Sequence, residues 1–386
     1  METYILSQRG IFEGSAYGFI YEFEDLIAKL CGSQILVPKA TDLTQWAHKQ
    51  PQQVATLAKK TIARTVGPYQ KIGSEHISAS SPKVLFVICL NAAGLSMLSS
   101  IPNWRKQFDV VAAYVVDAWL FNAYPKETYQ LDHLFVPVLE AIEGLEQKFK
   151  IPVSLLPFGA NVLLHGSGQR DRPIDVMSFG RTPVEFHQAL SQGLNRPGSD
   201  RVYYRHPAVD RQWYPQNDCY EGRVDHEYRL LFHQMMRRSK VVLAFDPLYD
   251  TDQLYESYKV NTRPWKFKHS VLSLRWIEGC AAGCAILGKR PKTVLADQIL
   301  NWEDVTIELP ENPDEWFRFT EKLLEDTSRL QAIHQRNYIE SLSRHDWRYR
   351  IRDLFETLKL SLPTLLTDEL ELLAAKLNAQ TAGVRS

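Results

Sequence analysis

The chain has no charge imbalance: Lys plus Arg and Asp plus Glu number 45 each in 386 residues. No overall field pulls it toward nucleic acid, although a local basic pocket for a diphosphate stays open. Cysteine is sparse, with five scattered residues (Cys31, Cys89, Cys219, Cys280, Cys284) and no CxxC pair. That pattern argues against a disulfide framework or a zinc site and for a reducing compartment. No apolar run approaches the ~18 residues of a spanning helix. The opening METYILSQRG lacks a basic stretch followed by a long apolar one, so no signal peptide is read there. The expectation is a cytoplasmic protein, with any membrane contact peripheral. There is no GxSxG, P-loop or kinase signature, no internal repeat and no low-complexity tract. Histidines do not cluster at metal-ligand spacing, so no metal is expected.

What the chain does have is ordinary globular material, 45% apolar and 23% charged. At roughly 100–200 residues per domain, its length suits two domains. Short apolar runs alternate with longer helical patterns. The runs read as strands are 3–7, 34–38, 83–90, 109–118, 133–138, 152–159, 174–180, 201–206, 240–245, 284–288 and 305–309. Several are β-branched and apolar on both faces, as parallel strands covered by helices on both sides require. Strand–helix alternation of this kind reads as α/β with parallel sheets. The Gly-rich, polar stretch ANVLLHGSGQRDRP (160–173) reads as the break. It separates an N-terminal domain of 1–160 from a C-terminal domain of 161–345, with C-terminal helices and a tail over 346–386.

The segment HSVLSLRWIEGCAAGCAILGKRP (269–291) is the most informative. Ser270 reads as a helix N-cap, the helix running from about Val271 to Ala282 and ending at Gly283. Arg275 and Glu278, three apart, share a helix face. A nucleoside diphosphate needs amides and cations for its phosphates, a carboxylate for its ribose hydroxyls and a crevice at the carboxyl ends of parallel strands. A helix N-terminus, Arg275 and Glu278 offer these. The other reading is an ordinary ion pair on a helix whose Ala/Gly run merely packs tightly.

The pattern RWIEGCAAGCAIL resembles the C-terminal signature of GT-B fold glycosyltransferases, closest to the CgeB-like and group 1 families. LLPFGAN (155–161), IDVMSFGRT (174–182) and RNYIESLSRHDWRYRIRDLF (336–355) fall in the order that resemblance requires. It implies two Rossmann-like domains with parallel sheets facing across a cleft, C-terminal helices crossing back, and metal-independent transfer of a hexose from a nucleotide-sugar. The N-terminal domain would hold the acceptor: a sugar, a lipid-linked molecule or a small molecule. No cofactor beyond the donor is implied. Glu278 would bind the donor ribose. Gly180 and Arg181 would lie by the diphosphate, and Ser273 and Leu274 would offer backbone N–H groups. Two positions depart from the pattern: Ser270 stands where a Glu is common and Phe186 where a Lys is common. Lys266, Lys268 or Arg205 could replace that cation. A retaining course is implied by the resemblance alone. A binding protein without turnover and a nucleotide-sugar epimerase are the alternatives.

Elsewhere, QRGIFEGSAYGF after the first strand carries Gly10, Gly14 and Gly18 but not GxGxxG spacing. It resembles the loop of an N-terminal Rossmann domain that faces the acceptor, with Arg9 and Glu13 as contacts, or it is a plain flexible turn. Asp117 ends a buried strand, where an acid/base group is useful. It is a base candidate together with Glu13 if the reaction inverts; otherwise it caps a helix before Trp119. The run DPLYDTD, with Asp246, Asp250 and Asp252, reads as a solvated loop rather than a metal site. His206 reads as a packed or capped histidine, and His345 and Trp347 as residues that hold the closing helices together.

Overall fold

A computed structural model describes residues 1–9, 11, 18–44, 68–78, 82–207, 223–246, 248–250 and 268–385. The chain divides into one unit of Met1–Leu156 with Arg211–His226 and another of Pro157–Asp210 with Glu227–Ser386.

The first unit is built on β1 (Glu2–Leu6), β2 (Gln34–Leu36), β3 (Lys83–Asn91), β4 (Val110–Asp117), β5 (His133–Val136) and β6 (Val153–Leu155). They form one sheet in the order β2-β1-β3-β4-β5-β6, every pair parallel. A parallel sheet is covered on both faces, which is why β4 is apolar residue after residue and buried from Val111 to Val116. Helix α1 (Gly18–Cys31) follows β1 and buries Ile20, Phe23, Ile27 and Leu30, the 3-and-4 spacing of one helical face. Between β1 and β3 the strand order reverses. There the Gln8 side-chain oxygen, fully buried, accepts the Leu90 amide at 2.7 Å and ties the two strand ends together.

The second unit holds β7 (Ile174–Ser178), α2 (Val184–Leu194), β8 (Tyr203–Arg205), α3 (Arg223–Arg237) from Glu227 onward, and β9 (Ser239–Phe245). After these come β10 (Leu248–Asp250), β11 (Lys268–Ser270), α4 (Leu274–Ala281), β12 (Ala285–Lys289) and β13 (Ile307–Glu308). The main sheet runs β13-β12-β9-β7-β8, all parallel. Strands β10 and β11 form a separate antiparallel ribbon. All eleven strands of the two main sheets coincide with runs read from the sequence; the ribbon was not anticipated. Ser270 lies in β11 and is not the cap of the next helix; the cap position is Ser273. One face of the sheet packs Val176, Val241, Leu243 and Leu287 against Phe186, Leu190 and Leu194 of α2. Strands β9 and β12 lie so close that a Cβ on Gly288 would sit 1.8 Å from the Ala244 carbonyl oxygen.

Helices α5 (Trp316–Glu325), α6 (Thr327–Arg344), α7 (Trp347–Thr357) and α8 (Thr364–Arg385) complete this unit. Asp346 caps α7 through the Arg348 amide at 2.8 Å and also accepts the Val162 amide at 2.8 Å. The stretch read as a linker is therefore fastened at its start. It is fastened again further on, where the buried Arg172 guanidinium donates to the carbonyls of Ser167, Ser239 and Ala282. Trp347 and His345 are buried, with Gly159 against the Trp347 ring. Among the described residues, no helix is long and apolar enough to cross a membrane.

Candidate functional site

In the second unit β7 has β8 on one side and β9 on the other, so the strand order reverses between β7 and β9. Ligands of open parallel sheets bind outside the carboxyl ends at such a point. β7 leaves it through Phe179, Gly180 and Arg181 on the way to α2, and β9 through Asp246. Gly180 has φ +65°, the left-handed region, and Arg181 is exposed.

Arg275, on the first turn of α4, spans the two exits. Its NH1 donates to the Phe245 carbonyl at 3.0 Å and the Arg181 carbonyl at 3.3 Å, and its guanidinium lies over Gly180. Asp246, far from a solvated loop residue, has a side chain only 1% exposed. It accepts the Ser273 amide at 3.1 Å and the Trp276 indole N–H at 2.6 Å. Ser273 makes no side-chain cap bond of its own; the carboxylate after β9 instead fixes the cap residue through its backbone N–H. The Ser273 N–H, expected to face a donor, is engaged by Asp246.

Glu278 lies one turn further along α4 and is 4% exposed. Its Oε1 accepts from the Arg229 guanidinium of α3 and lies 3.8 Å from His233 Nε2. His233 stacks on His165 with centroids 3.8 Å apart. Burial, then the nearby Arg229 charge, push the His233 pKa well down, which keeps the imidazole neutral and leaves Arg229 as the countercharge. Arg275 and Glu278 therefore engage different partners, and α4 links the strand-end loops to α3.

The edge strand β8 ends at Arg205, which is exposed. Arg205 NH1 donates to His187 Nε2 at 3.1 Å, so the proton of His187 sits on Nδ1 and is donated to Tyr203 Oη at 2.8 Å. Tyr203 donates in turn to Ser178 Oγ at 2.7 Å. His206 is buried beside the Tyr228 and Phe232 rings, and burial pushes its pKa down to about 4, in keeping with a packed histidine. Phe186 is 2% exposed and packs against Phe245 and Trp316. A lysine there would point into the core, so this position cannot supply a phosphate cation.

In the first unit Asp117 is half-buried at the carboxyl end of β4, in register with Asn91 of β3. It caps no α-helix: the turn after it leads to a single 3-10 turn, Phe121–Ala123, whose N-cap position is Leu120. Arg9 folds back onto α1, donating to Glu24 at 3.0 Å and the Tyr21 carbonyl at 2.6 Å and pairing with Asp25 at 2.6 Å. Gly10, Glu13, Gly14, Asp252 and Lys266 lie outside the described residues, as do the side chains of Asp250, Lys268 and Ser270.

Residues 181–356 match the model of the family described as glycosyl transferase-like. No curated protein matches the chain. Among solved structures, HepE of Anabaena, in complex with UDP and glucose, is 11% identical, covering 93% of this chain and 99% of that one at a TM-score of 0.49. TarM of S. aureus is 8% identical, covering 70% of this chain at a TM-score of 0.42, and the match takes in 55% of its own length. The calicheamicin glycosyltransferase CalG4 is 12% identical, covering 92% of this chain and 98% of its own at a TM-score of 0.40. At these scores the likeness assigns neither donor nor acceptor. Two successive α/β units, each on a parallel sheet, fit the GT-B architecture, and the stretch from Arg181 to Glu356 is similar to the glycosyl transferase-like family.

Proposed function

We propose that the protein transfers a sugar from a nucleotide-sugar, held at the carboxyl ends of β7 and β9, to an acceptor recognised by the first unit. The observation that supports this most is the convergence of Gly180, Arg181, Arg275 and Asp246 on the point where the second sheet reverses its strand order. In this reading the Gly180 turn lets phosphate approach the backbone and Arg181 supplies a cation, with Arg205 and Lys266 as further cations. Arg275 shapes the loops around the diphosphate. Leu274 lies on the same helix turn, and Glu278 takes the ribose hydroxyls. Preorganised charge then stabilises the leaving diphosphate without a metal. The acceptor is a sugar, a lipid-linked molecule or a small molecule, met by the loop of Arg9, Gly10 and Gly14. The course is retaining; an inverting course would use Asp117 or Glu13 as base.

A thermal-shift screen of UDP-, GDP-, ADP- and CMP-sugars, followed by transfer assays, tests this. A ligand at a hundredfold excess over Kd stabilises the folded state by about 2.7 kcal/mol. No shift with any donor and no release of nucleotide would sink the reading. Binding without turnover across a broad acceptor panel would leave a nucleotide-sugar-binding protein.

A further inference from the structure

The reading above makes Glu278 the ribose acceptor, yet Glu278 is buried, and a buried carboxylate persists only with a partner. Its partner comes from a helix with no motif of its own. Arg229 lies on α3, 49 residues before Glu278, and is 9% exposed. One face of its guanidinium lies over the Phe232 ring, 5.5 Å from the centroid, which restricts its plane. It donates from NH2 to Glu278 Oε1, the same oxygen that His233 Nε2 approaches at 3.8 Å.

We propose that Arg229 is a positioning residue: it fixes the rotation of the Glu278 carboxylate and balances its charge, so that the donor ribose meets a preset acceptor. The proposal rests on the donor-site reading above. Two physical facts carry it. Arg stays charged at any working pH and gives the Glu278 carboxylate a permanent partner; a carboxylate accepts hydrogen bonds and donates none, which ribose hydroxyls need. A planar guanidinium stacked on a ring also sets the direction of its N–H bonds, as a lysine point charge does not. His233, packed face to face on His165, lies 3.8 Å from the same oxygen.

The test is a double-mutant cycle read by calorimetry with the nucleoside diphosphate that binds best among UDP, GDP, ADP and CDP. Arg229→Met and Glu278→Gln should each weaken binding roughly tenfold or more. Combined, they should weaken it no more than Glu278→Gln alone, because Arg229 acts through Glu278. The double variant removes both charges together, so it stays folded where Arg229→Met alone leaves a buried charge. Arg229→Lys keeps the charge and should bind several-fold more weakly than wild type. In turnover, the donor KM should rise in Arg229→Lys with kcat nearly unchanged, since the ribose lies away from the bond being broken. Full nucleotide affinity in Arg229→Lys together with the same affinity in the double variant as in wild type overturns the proposal. So does a loss on Arg229→Met that persists undiminished in the Glu278→Gln background. If Glu278→Gln alone binds like wild type, or wild type binds none of the four nucleotides, the donor-site reading itself fails and the proposal falls with it.

Discussion

Asp246 holds the Trp276 indole N–H at 2.6 Å across 30 residues of chain, and the same oxygen receives the Ser273 amide at 3.1 Å. One carboxylate therefore fixes both the start of α4 and its bulkiest side chain, which is fully buried. Asp246→Ala leaves the Ser273 amide and the buried Trp276 indole N–H unpaired, which should cost the second unit about 2–4 kcal/mol. Asp246→Asn keeps an acceptor oxygen and should cost less. Urea unfolding combined with hydrogen exchange of the Leu274–Ala281 segment measures both; identical exchange in Asp246→Ala and wild type would refute the assignment.

Gly288 and Gly32 should respond very differently to alanine. At Gly288 the new methyl would meet the Ala244 backbone 1.8 Å away, with no flexible side chain to give way. We expect more than about 4 kcal/mol lost and little soluble protein. At Gly32, φ is +63° with nothing within 4 Å, so only the left-handed strain of about 1 kcal/mol applies. Melting curves of the two variants within a few degrees of each other would contradict this.

Glu24 of the first unit and the buried histidines of the second should pull stability in opposite directions as pH changes. In the first, burial outweighs Arg9 and lifts the fully buried Glu24 carboxyl to about 8. Between its ordinary value of 4.5 and about 8 the native state binds the extra proton, so stability is greatest at low pH and is lost as pH rises through that window. In the second, burial lowers His334 and His345 to about 3 and His206 to about 4, from 6.5. There the unfolded chain binds the extra protons, so stability is lost as pH falls below 6.5. Each group adds a slope of up to about 1.4 kcal/mol per pH unit. Denaturation followed by exchange at pH 5 and pH 8 separates the units. Glu24→Gln should flatten the slope of the first unit, and an unchanged slope would count against Glu24 as its source.

Arg181 is exposed, so its loss should spare the fold and strike the ligand. Arg181→Ala is expected to melt within a degree or two of wild type and to bind the nucleoside diphosphate about tenfold more weakly. Equal affinity by calorimetry would remove it from the diphosphate site.

Restoring the lysine common at position 186 should harm rather than help. Phe186 is 2% exposed between Phe245 and Trp316. Phe186→Lys should destabilise by about 3–5 kcal/mol and gain no donor affinity. A stable variant with tighter binding would show that the residue turns toward solvent.

The strands were legible because parallel strands covered on both sides must be apolar throughout, as in VVAAYVVD, and few other segments are. The ribbon of β10 and β11 escaped because its three-residue strands carry no alternation to read. The cap position of α4 is Ser273 rather than Ser270 because the amide of Ser273 is held by Asp246, 27 residues back, and a local sequence rule sees only side chains next to the helix. Asp246 itself sits in a run whose aspartates and proline look solvated; a tertiary contact buries it. Arg229 lies on RVDHEYRLLFHQMMR, where it resembles any other arginine of a polar helix. Glu278 and Arg275 were found as residues, but their partners on α3 and on the strand ends were not, because both partnerships are made between segments distant in sequence.

The bond from the Val162 amide to Asp346 joins residues 184 positions apart. During synthesis at about 5–20 residues per second, that interval lasts on the order of 10–40 s. The six strands of the first sheet have all been made by Leu155, so that sheet can assemble while the ribosome is still at work. The second sheet has its last strand only at Glu308, and the Val162 bond closes only once Asp346 has been made. Until then the start of the second unit lacks its tie to the closing helices, and shielding by a chaperone matters most in that interval.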